Sequence, residues 1–223
     1  MSGGSFILRR LGREVANLLW PAQCLVCGKA RDELDGGVCI TCWGRLLAAP
    51  AVERPKTIDR LAVGYSYDDT LRAIIHRFKF EQAPGLARPL AEHFRDRLEQ
   101  MGFIFLEPIF VPVPAHPARR RERGYNPSAL LAKELAALLD LPYRPDIAAR
   151  VKHTAHQSSL PDGERKRTLK DVFRVAAPDE KTPESARLVL VDDVVHTGRT
   201  IGQLAKTARK AGWKQIDAIC LCA

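Results

Sequence analysis

The sequence predicts an α/β fold in which a mainly parallel sheet is flanked by helices, with a small cysteine-rich module in front of it. Two observations support this prediction. Apolar segments of strand length alternate with segments of helical period between residues 57 and 223, and this order is typical of parallel sheets. Two Cys-x-x-Cys pairs lie between residues 22 and 47, in a segment too short to build a core of its own. The 223 residues accommodate one α/β domain with a small appendage.

An amphipathic helix is predicted over residues 1–21. Apolar residues recur at helical spacing from Phe6 to Leu19, and Arg9, Arg10 and Arg13 lie elsewhere around the helix. The helix either docks onto the protein's own body or lies on a membrane surface, and its short length and thin basic face favour docking. The arginines also interrupt the apolar core that a signal peptide needs, and no apolar run reaches the roughly twenty residues that span a bilayer. We therefore expect a cytoplasmic protein.

Residues 22–47 are predicted to form a zinc ribbon. The two pairs supply four thiols, from Cys24, Cys27, Cys39 and Cys42. Such spacing suits a tetrahedral four-thiolate zinc site, and four sulfur ligands leave no open position, so the role would be structural. A redox role needs a Cys-x-x-Cys at the head of a helix within a βαβ unit, and the flanking sequence lacks that context. Residues 48–56, rich in Ala and Pro, are predicted to link this module to the main domain.

The main domain, residues 57–223, is predicted to begin with a strand over 61–67 and helices over 70–80 and 86–100. Lys79 lies between two phenylalanines near the end of the first helix. It is a candidate contact for a pyrophosphate. The alternative is a lysine that only extends its charge into solvent from an amphipathic helix.

A dense arginine cluster follows the next predicted strand. Residues 110–116 form a short strand that ends in prolines and His116, and a helix is predicted over 128–139. Between them, in a predicted loop, lie Arg119, Arg120, Arg121 and Arg123. Arginines in such a loop suit a diphosphate or a nucleic-acid backbone, and the alternative is a solvated surface.

A long, polar and basic connection separates a predicted strand near residues 146–150 from the next core strand. Connections of this length in a compact domain are usually functional or disordered. The composition suits a mobile flap that closes over an anionic ligand and excludes water. Gln157 and Arg165 are its candidate ligand contacts.

The most informative stretch is residues 188–200, where four apolar residues run into Asp192 and Asp193. A turn with Thr197, Gly198 and Thr200 follows, then a predicted helix over 201–211 and a last strand over 215–222. The N–H groups and dipole of a helix start favour a phosphate. Ionised aspartates accept hydrogen bonds from a sugar diol and help to hold a divalent metal. The pattern favours a ribose 5-phosphate site over a strand end with two solvated aspartates.

Residues 188–200 resemble the thirteen-residue signature of type I phosphoribosyltransferases, which bind phosphoribosyl pyrophosphate (PRPP). The whole chain resembles the ComF family, bacterial competence proteins with a type I phosphoribosyltransferase-like fold and an N-terminal zinc ribbon. The motifs that carry this resemblance occur in the family's order: Val-Pro-Val-Pro-x-His at 111–116, Arg-Gly-Tyr-Asn at 123–126 and Val-Asp-Asp-Val at 191–194. His196 and Pro127 depart from the family's usual residues.

The resemblance implies which residues hold PRPP with Mg²⁺. The ribose-phosphate contacts would be Asp192, Asp193, Thr197, Gly198, Arg199 and Thr200. Contacts to the pyrophosphate or from a flexible hood over residues 154–167 would be Lys79, His116, Arg119, Arg120, Arg123, Gln157 and Arg165.

Two functions are compatible with the sequence. In the first, the protein binds PRPP and handles single-stranded DNA with a competence helicase during natural transformation, and its net charge of +9 suits such a partner. In the second, it is an active phosphoribosyltransferase that displaces pyrophosphate with a nitrogen nucleophile, as an amidophosphoribosyltransferase does. An aromatic content of 7%, without interleaved basic residues, argues against a strong stacking platform for single strands. No general base is evident in the sequence.

Overall fold

The computed structural model describes residues 23–30, 33–81, 83–151 and 172–223. The predicted helix over residues 1–21 and the predicted hood, with Gln157 and Arg165, lie outside the described residues. Within the described ranges, no helix is both long enough and apolar enough to cross a membrane.

A four-stranded parallel sheet forms the centre of the fold. Its strands are β1 (Arg60–Tyr65), β2 (Pro108–Pro112), β5 (Arg187–Val194) and β6 (Gln215–Cys222), in the order β1-β6-β5-β2. Two short strands, β3 (Ala148–Arg150) and β4 (Phe173–Val175), form a separate antiparallel pair. Since β2 and β5 are parallel neighbours, the residues that follow their carboxyl ends meet at one edge of the sheet.

Six α-helices accompany the strands in the described chain. They are α1 (Ile40–Trp43), α2 (Asp69–Phe80), α3 (Ala87–Gln100), α4 (Pro117–Arg123), α5 (Pro127–Leu139) and α6 (Arg199–Lys210). Local capping explains several starts: the side chain of Asp68 accepts a hydrogen bond from Leu71 N at 2.9 Å, and Pro127 is the first residue of α5.

Two hydrophobic clusters lie on opposite faces of the sheet. Val189 and Val191 belong to the cluster that contains α2, α3 and α5, whereas Leu188 and Leu190 belong to the one that contains α6. This division follows from the period of two along β5. At the amino end of the sheet, the fully buried Asp217 is paired with Arg60 at 2.5 Å and with Arg187 at 3.0 Å, so this buried carboxylate is compensated.

The cysteine module shares the core of the main domain. Its buried residues Val38 and Trp43 belong to the same cluster as α2 and α3. The Trp43 ring stacks on His93 of α3 with centroids 4.3 Å apart, and Arg77 Nε of α2 donates to Leu25 O at 2.8 Å. The module is therefore attached to two helices by apolar packing, ring stacking and a hydrogen bond.

The predicted linker packs against the main domain. Ser66 N donates to Leu47 O at 2.8 Å, and Ala49 N donates to Gly64 O at 3.2 Å, so the start of this segment runs along the open edge of β1. Further on, Pro55 packs against the start of α6: a Cβ added at Gly198 would lie 3.0 Å from Pro55 Cγ. The segment connects the two parts in sequence, and it also protects a sheet edge.

The arginine cluster forms helix α4, so the prediction of a loop there is wrong. His116 Nδ1 caps the helix by accepting from Ala118 N at 3.2 Å, and Pro117 supplies the first position. Gly124 ends the helix with a φ of 81°, in the left-handed region that favours glycine. Caps at both ends make a helix out of seven residues that have no buried face.

Candidate functional site

A cavity of about 380 Å³ lies at the carboxyl ends of β2 and β5. Acidic side chains from β5 and basic side chains from α4 and β3 face the same space. The lining residues are Val113, Pro114, Ala115, His116, Arg119, Arg123, Asn126, Pro127, Ser128, Arg150, Asp192, Asp193 and Thr200. We call this space the β5 cavity.

The two aspartates of the β5 cavity have different partners. Asp192 Oδ1 accepts a hydrogen bond from Ser128 Oγ at 2.9 Å. Asp193 Oδ2 is paired with Lys79 Nζ at 3.0 Å, and its Oδ1 accepts from Val194 N at 2.8 Å. One carboxyl group therefore has a neutral partner, and the other has a cation.

Burial, followed by the neighbouring charge of Asp193, raises the pKa of Asp192 to about 8. The hydrogen bonds from Ser128 Oγ and Asp193 N, and the charge of Lys79, act in the opposite direction but are weaker. Asp192 therefore holds a proton over much of the neutral pH range when the cavity contains no cation. A divalent cation beside it would favour the ionised form.

Lys79, near the end of α2, is directed toward β5 and pairs with Asp193 there. Its side chain is only 17% exposed, and that of Asp193 only 9%. A lysine that merely reached into solvent would be more exposed. The structure therefore places Lys79 at the acidic side of the cavity.

The loop after β5 has two sides. Thr200 lines the β5 cavity together with the aspartates. Thr197, Gly198 and Arg199 line a different space of about 490 Å³, which the linker residues 53–57 complete. Gly198 has a φ of 65° and adjoins Pro55, so both its backbone and its surroundings favour glycine.

The basic side of the β5 cavity contains His116, Arg119 and Arg123. Because His116 Nδ1 accepts from Ala118 N, the neutral ring carries its proton on Nε2 and is a donor there. The guanidinium of Arg123 lies over the Phe80 ring at 4.3 Å. Its buried Nε has no hydrogen-bond partner among the described residues, so this nitrogen is available to an acceptor in a ligand. Arg120 points elsewhere and lines a neighbouring space.

Ser128 and Arg150 line the cavity although no motif indicated them. Ser128 follows Pro127 at the start of α5 and is 95% buried, since only 5% of its surface is exposed. Arg150 is the last residue of β3, and burial, together with the nearby charge of Arg119, lowers its pKa. The helix-start signal at Pro127 locates Ser128 beside the sheet, but the sequence contains no comparable signal for Arg150.

The two departures from the family pattern have different surroundings. Pro127 lines the β5 cavity as the first residue of α5. The preceding Asn126 holds this turn in place, because its Nδ2 donates to Val113 O at 2.9 Å. His196 is exposed and meets the Tyr67 ring edge-on at 6.2 Å, and it is not among the residues that line the β5 cavity.

The four cysteines of the N-terminal module lie together, with all four sulfurs within 4.8 Å of one another. The Sγ–Sγ distances are 3.8 Å for Cys24 and Cys42 and 4.0 Å for Cys27 and Cys39. A tetrahedral metal with Zn–S bonds of about 2.3 Å requires sulfurs roughly 3.8 Å apart. The cluster therefore fits a structural metal such as zinc.

Hydrogen bonding within the module favours a thiolate at Cys24. Burial acts against ionisation, but backbone N–H groups, including those of Val26 and Cys39, lower the pKa of Cys24 to about 6. Burial and the other thiols raise the pKa of Cys42 to about 12. A divalent cation at the centre would offset this repulsion and favour four thiolates.

Comparison with known proteins agrees with this architecture. Residues 126–223 match the family model described as phosphoribosyl transferase domain. Competence protein F of Haemophilus influenzae is 35% identical over 71% of this chain and 70% of its own length. The DNA utilization protein YhgH is 32% identical in Salmonella typhimurium and 30% identical in Escherichia coli K12, in both cases over 89% of each chain. The chain therefore belongs to the ComF family, the family of competence protein F and YhgH, and has a phosphoribosyltransferase-type fold.

Proposed function

We propose that this protein binds PRPP with Mg²⁺ in the β5 cavity and acts in DNA uptake, where it handles single-stranded DNA. One observation carries the PRPP proposal: a single cavity of about 380 Å³ has carboxyl groups at one side and guanidinium groups at the other. PRPP has a matching division, since its ribose carries hydroxyl donors and its pyrophosphate carries negative charge. Aspartates suit the first part and arginines the second.

The acidic side would hold the ribose and the metal. Asp192 and Asp193 would accept hydrogen bonds from the ribose hydroxyls or contribute oxygen ligands to Mg²⁺. Ser128 would orient the Asp192 carboxyl group through the hydrogen bond described above. Mg²⁺ bound here would reduce the charge repulsion between the aspartates and the phosphates.

The basic side would hold the pyrophosphate. Neither Arg119 nor Arg123 has a carboxylate partner within the described part of the chain, so their charges are available to an anion. His116 would add the Nε2–H donor. Lys79 would be shared between Asp193 and the ligand, because its ammonium group has three donors.

The 5′-phosphate would lie at the start of α6, against Thr200 and the loop that contains Thr197, Gly198 and Arg199. A helix start offers open N–H groups and a favourable dipole, and Gly198 allows close approach of a phosphate to the backbone. Zinc, held by the four cysteines, would have a structural role, since the four sulfurs complete a tetrahedral set.

The role in DNA uptake rests on the relatives rather than on the cavity. Their names, competence protein and DNA utilization protein, come from proteins that match up to 89% of this chain. The net charge of +9 suits an anionic polymer.

Turnover of PRPP is the alternative function, and the surroundings of His116 support binding instead. A nitrogen nucleophile loses a proton during attack, so an enzyme needs a group to accept it. The neutral His116 ring presents Nε2–H, a donor, because Nδ1 accepts from Ala118 N.

The experiment that tests the PRPP proposal is calorimetric titration of the zinc-loaded protein with PRPP and Mg²⁺. We expect saturable binding to the parent and at least a 100-fold loss of affinity in the double variant Asp192→Asn/Asp193→Asn. The matched control is Asp69→Asn/Asp140→Asn, which changes two exposed aspartates outside the β5 cavity. Equal affinity in the parent and the Asp192/Asp193 variant would contradict the proposal.

A further inference from the structure

A second cavity lies on the opposite side of α4. Its volume is about 610 Å³, and it shares Pro114, Ala115, Asn126 and Arg150 with the β5 cavity. We call it the α4 groove. The proposed PRPP site leaves it unused, which raises the question of what ligand its lining suits.

Helical geometry divides the arginines of α4 between the two spaces. Arg119 and Arg123 are four residues apart, so they lie on the same side of the helix and line the β5 cavity. Arg120 and Arg121 extend to the other side and line the α4 groove. Both are exposed. One short helix therefore presents two pairs of guanidinium groups in two directions.

The positive charge of the α4 groove is not compensated by the described residues. No carboxylate in that part of the chain pairs with Arg120 or Arg121. Asp146 lines the groove, but its Oδ2 is paired with Arg144 Nη2 at 2.8 Å. Arg150 adds a third guanidinium group from the other wall. An anion would therefore meet three arginines without displacing an existing ion pair.

The rest of the lining is unsuited to a small phosphate. Apart from these polar side chains and Asn126, it consists of small or cyclic apolar residues: Pro112, Pro114, Ala115, Pro117, Ala129, Pro145, Ala148 and Ala149. Proline has no N–H group, so the four prolines cannot contribute to the backbone cradle that usually surrounds a small phosphate. Apolar walls with arginines beside them suit a ligand in which apolar sugar and base surfaces alternate with phosphates.

We propose that the α4 groove binds the phosphodiester backbone of single-stranded nucleic acid, with Arg120 and Arg121 as phosphate contacts. This inference rests on the DNA handling of the proposed function, and it adds that the strand lies outside the PRPP cavity. The concave groove is too small to admit a duplex. Opposite sides of α4 then serve two ligands, and Arg150, which lines both spaces, borders both of them.

The test measures binding of a fluorescent oligothymidine by anisotropy at several salt concentrations, with calorimetric titration of PRPP in parallel. In Arg120→Gln/Arg121→Gln, we expect DNA affinity to fall by about 10-fold or more. The slope of log affinity against log salt should fall by about 2, one for each lost phosphate contact. PRPP affinity should stay within about twofold of the parent, since neither side chain lines the β5 cavity.

Two further variants make the result specific. Arg119→Gln/Arg123→Gln should lose PRPP affinity and retain the salt slope for DNA. Lys206→Gln/Lys210→Gln removes the same charge from exposed positions on α6, and it should bind both ligands as the parent does.

The possible failures can be distinguished. DNA affinity that falls equally in the Arg120/Arg121 and Lys206/Lys210 variants would overturn the inference, because net charge alone would explain it. DNA affinity lost in the Arg119/Arg123 variant and competed by PRPP would also overturn it, by placing the strand in the β5 cavity, while the proposed function would stand. A parent that binds PRPP but no DNA would remove the DNA part of the proposed function together with the inference. Polyglutamate that competes as well as the oligonucleotide would exclude nucleic acid as the specific ligand.

Discussion

The cysteine module and the β5 cavity both collect ionisable side chains, but in opposite arrangements. In the module, four thiols face one another within 4.8 Å, and three of the four residues are buried. In the cavity, carboxyl and guanidinium groups face an open space of about 380 Å³. A closed ligand set stabilises a fold because the metal leaves no open coordination position. An open set, whose charges are not fully paired, stabilises a ligand.

This difference separates the expected effects of mutation. Changes in the module should alter the stability of the whole protein, since its residues share a core with α2 and α3. Changes in the cavity should alter ligand affinity and its pH dependence. The three predictions below test that separation.

The largest effect is expected from removing two metal ligands. Cys39→Ser/Cys42→Ser should release zinc and lower the free energy of unfolding by about 4 kcal/mol or more, as loss of a structural metal site does. Zinc content and urea unfolding would measure both effects. The control is Cys220→Ala, which changes a buried cysteine outside the cluster and should keep zinc. A parent that contains no metal, or a variant as stable as the parent, would contradict the separation.

The second effect concerns pH. The pKa of Asp192 is raised to about 8 in the folded protein, whereas an unfolded Asp titrates near about 4. The folded carboxyl group thus keeps a proton that the unfolded one has lost, so stability falls as pH rises from about 4 to about 8. We expect this contribution to be about 2 kcal/mol, because Asp192 remains partly open to water. Asp192→Asn should remove it.

Binding of Mg²⁺ and PRPP should show the opposite trend. The ligand favours the ionised form of Asp192, so affinity should rise with pH until about 8. Unfolding curves and titrations at pH 5, 6.5 and 8 would reveal both trends. If parent and Asp192→Asn had parallel stability profiles, Asp192 would not be the group responsible.

The smallest effect tests how the linker touches the loop after β5. Gly198→Ala places a side chain at a φ of 65° and 3.0 Å from Pro55 Cγ, which should cost about 1–3 kcal/mol. Gly124→Ala is the matched control, because its φ is 81° and nothing lies within 4 Å of the added Cβ. The difference between the two unfolding free energies isolates the contact with Pro55. Equal losses would mean that Pro55 imposes no constraint.

Local patterns accounted for most helices and strands. The last strand was predicted over residues 215–222 and is observed as Gln215–Cys222. Helix α2 was predicted over 70–80 and is observed as Asp69–Phe80. These elements were predictable because each has an apolar run or an apolar stripe of its own.

Helix α4 was not predictable from such a pattern, since it buries no residue and is rich in arginine. Its formation depends on the His116 and Pro117 cap and on Gly124. Similarly, the composition of residues 48–56 predicts an irregular segment, but it does not indicate that Pro55 would meet Gly198.

The sequence by itself determined the chemistry of this protein: two cysteine pairs, two adjacent aspartates, a glycine-containing loop and a row of arginines, all set by residue type and spacing. Only the tertiary structure decided which of these groups meet. The sheet order β1-β6-β5-β2 places β2 beside β5, and this brings Ser128 to Asp192 and the arginines of α4 to the same cavity. Packing of α2 brings Lys79 to Asp193. Such contacts join residues distant in the chain, and they depend on burial of the whole core rather than on any local pattern.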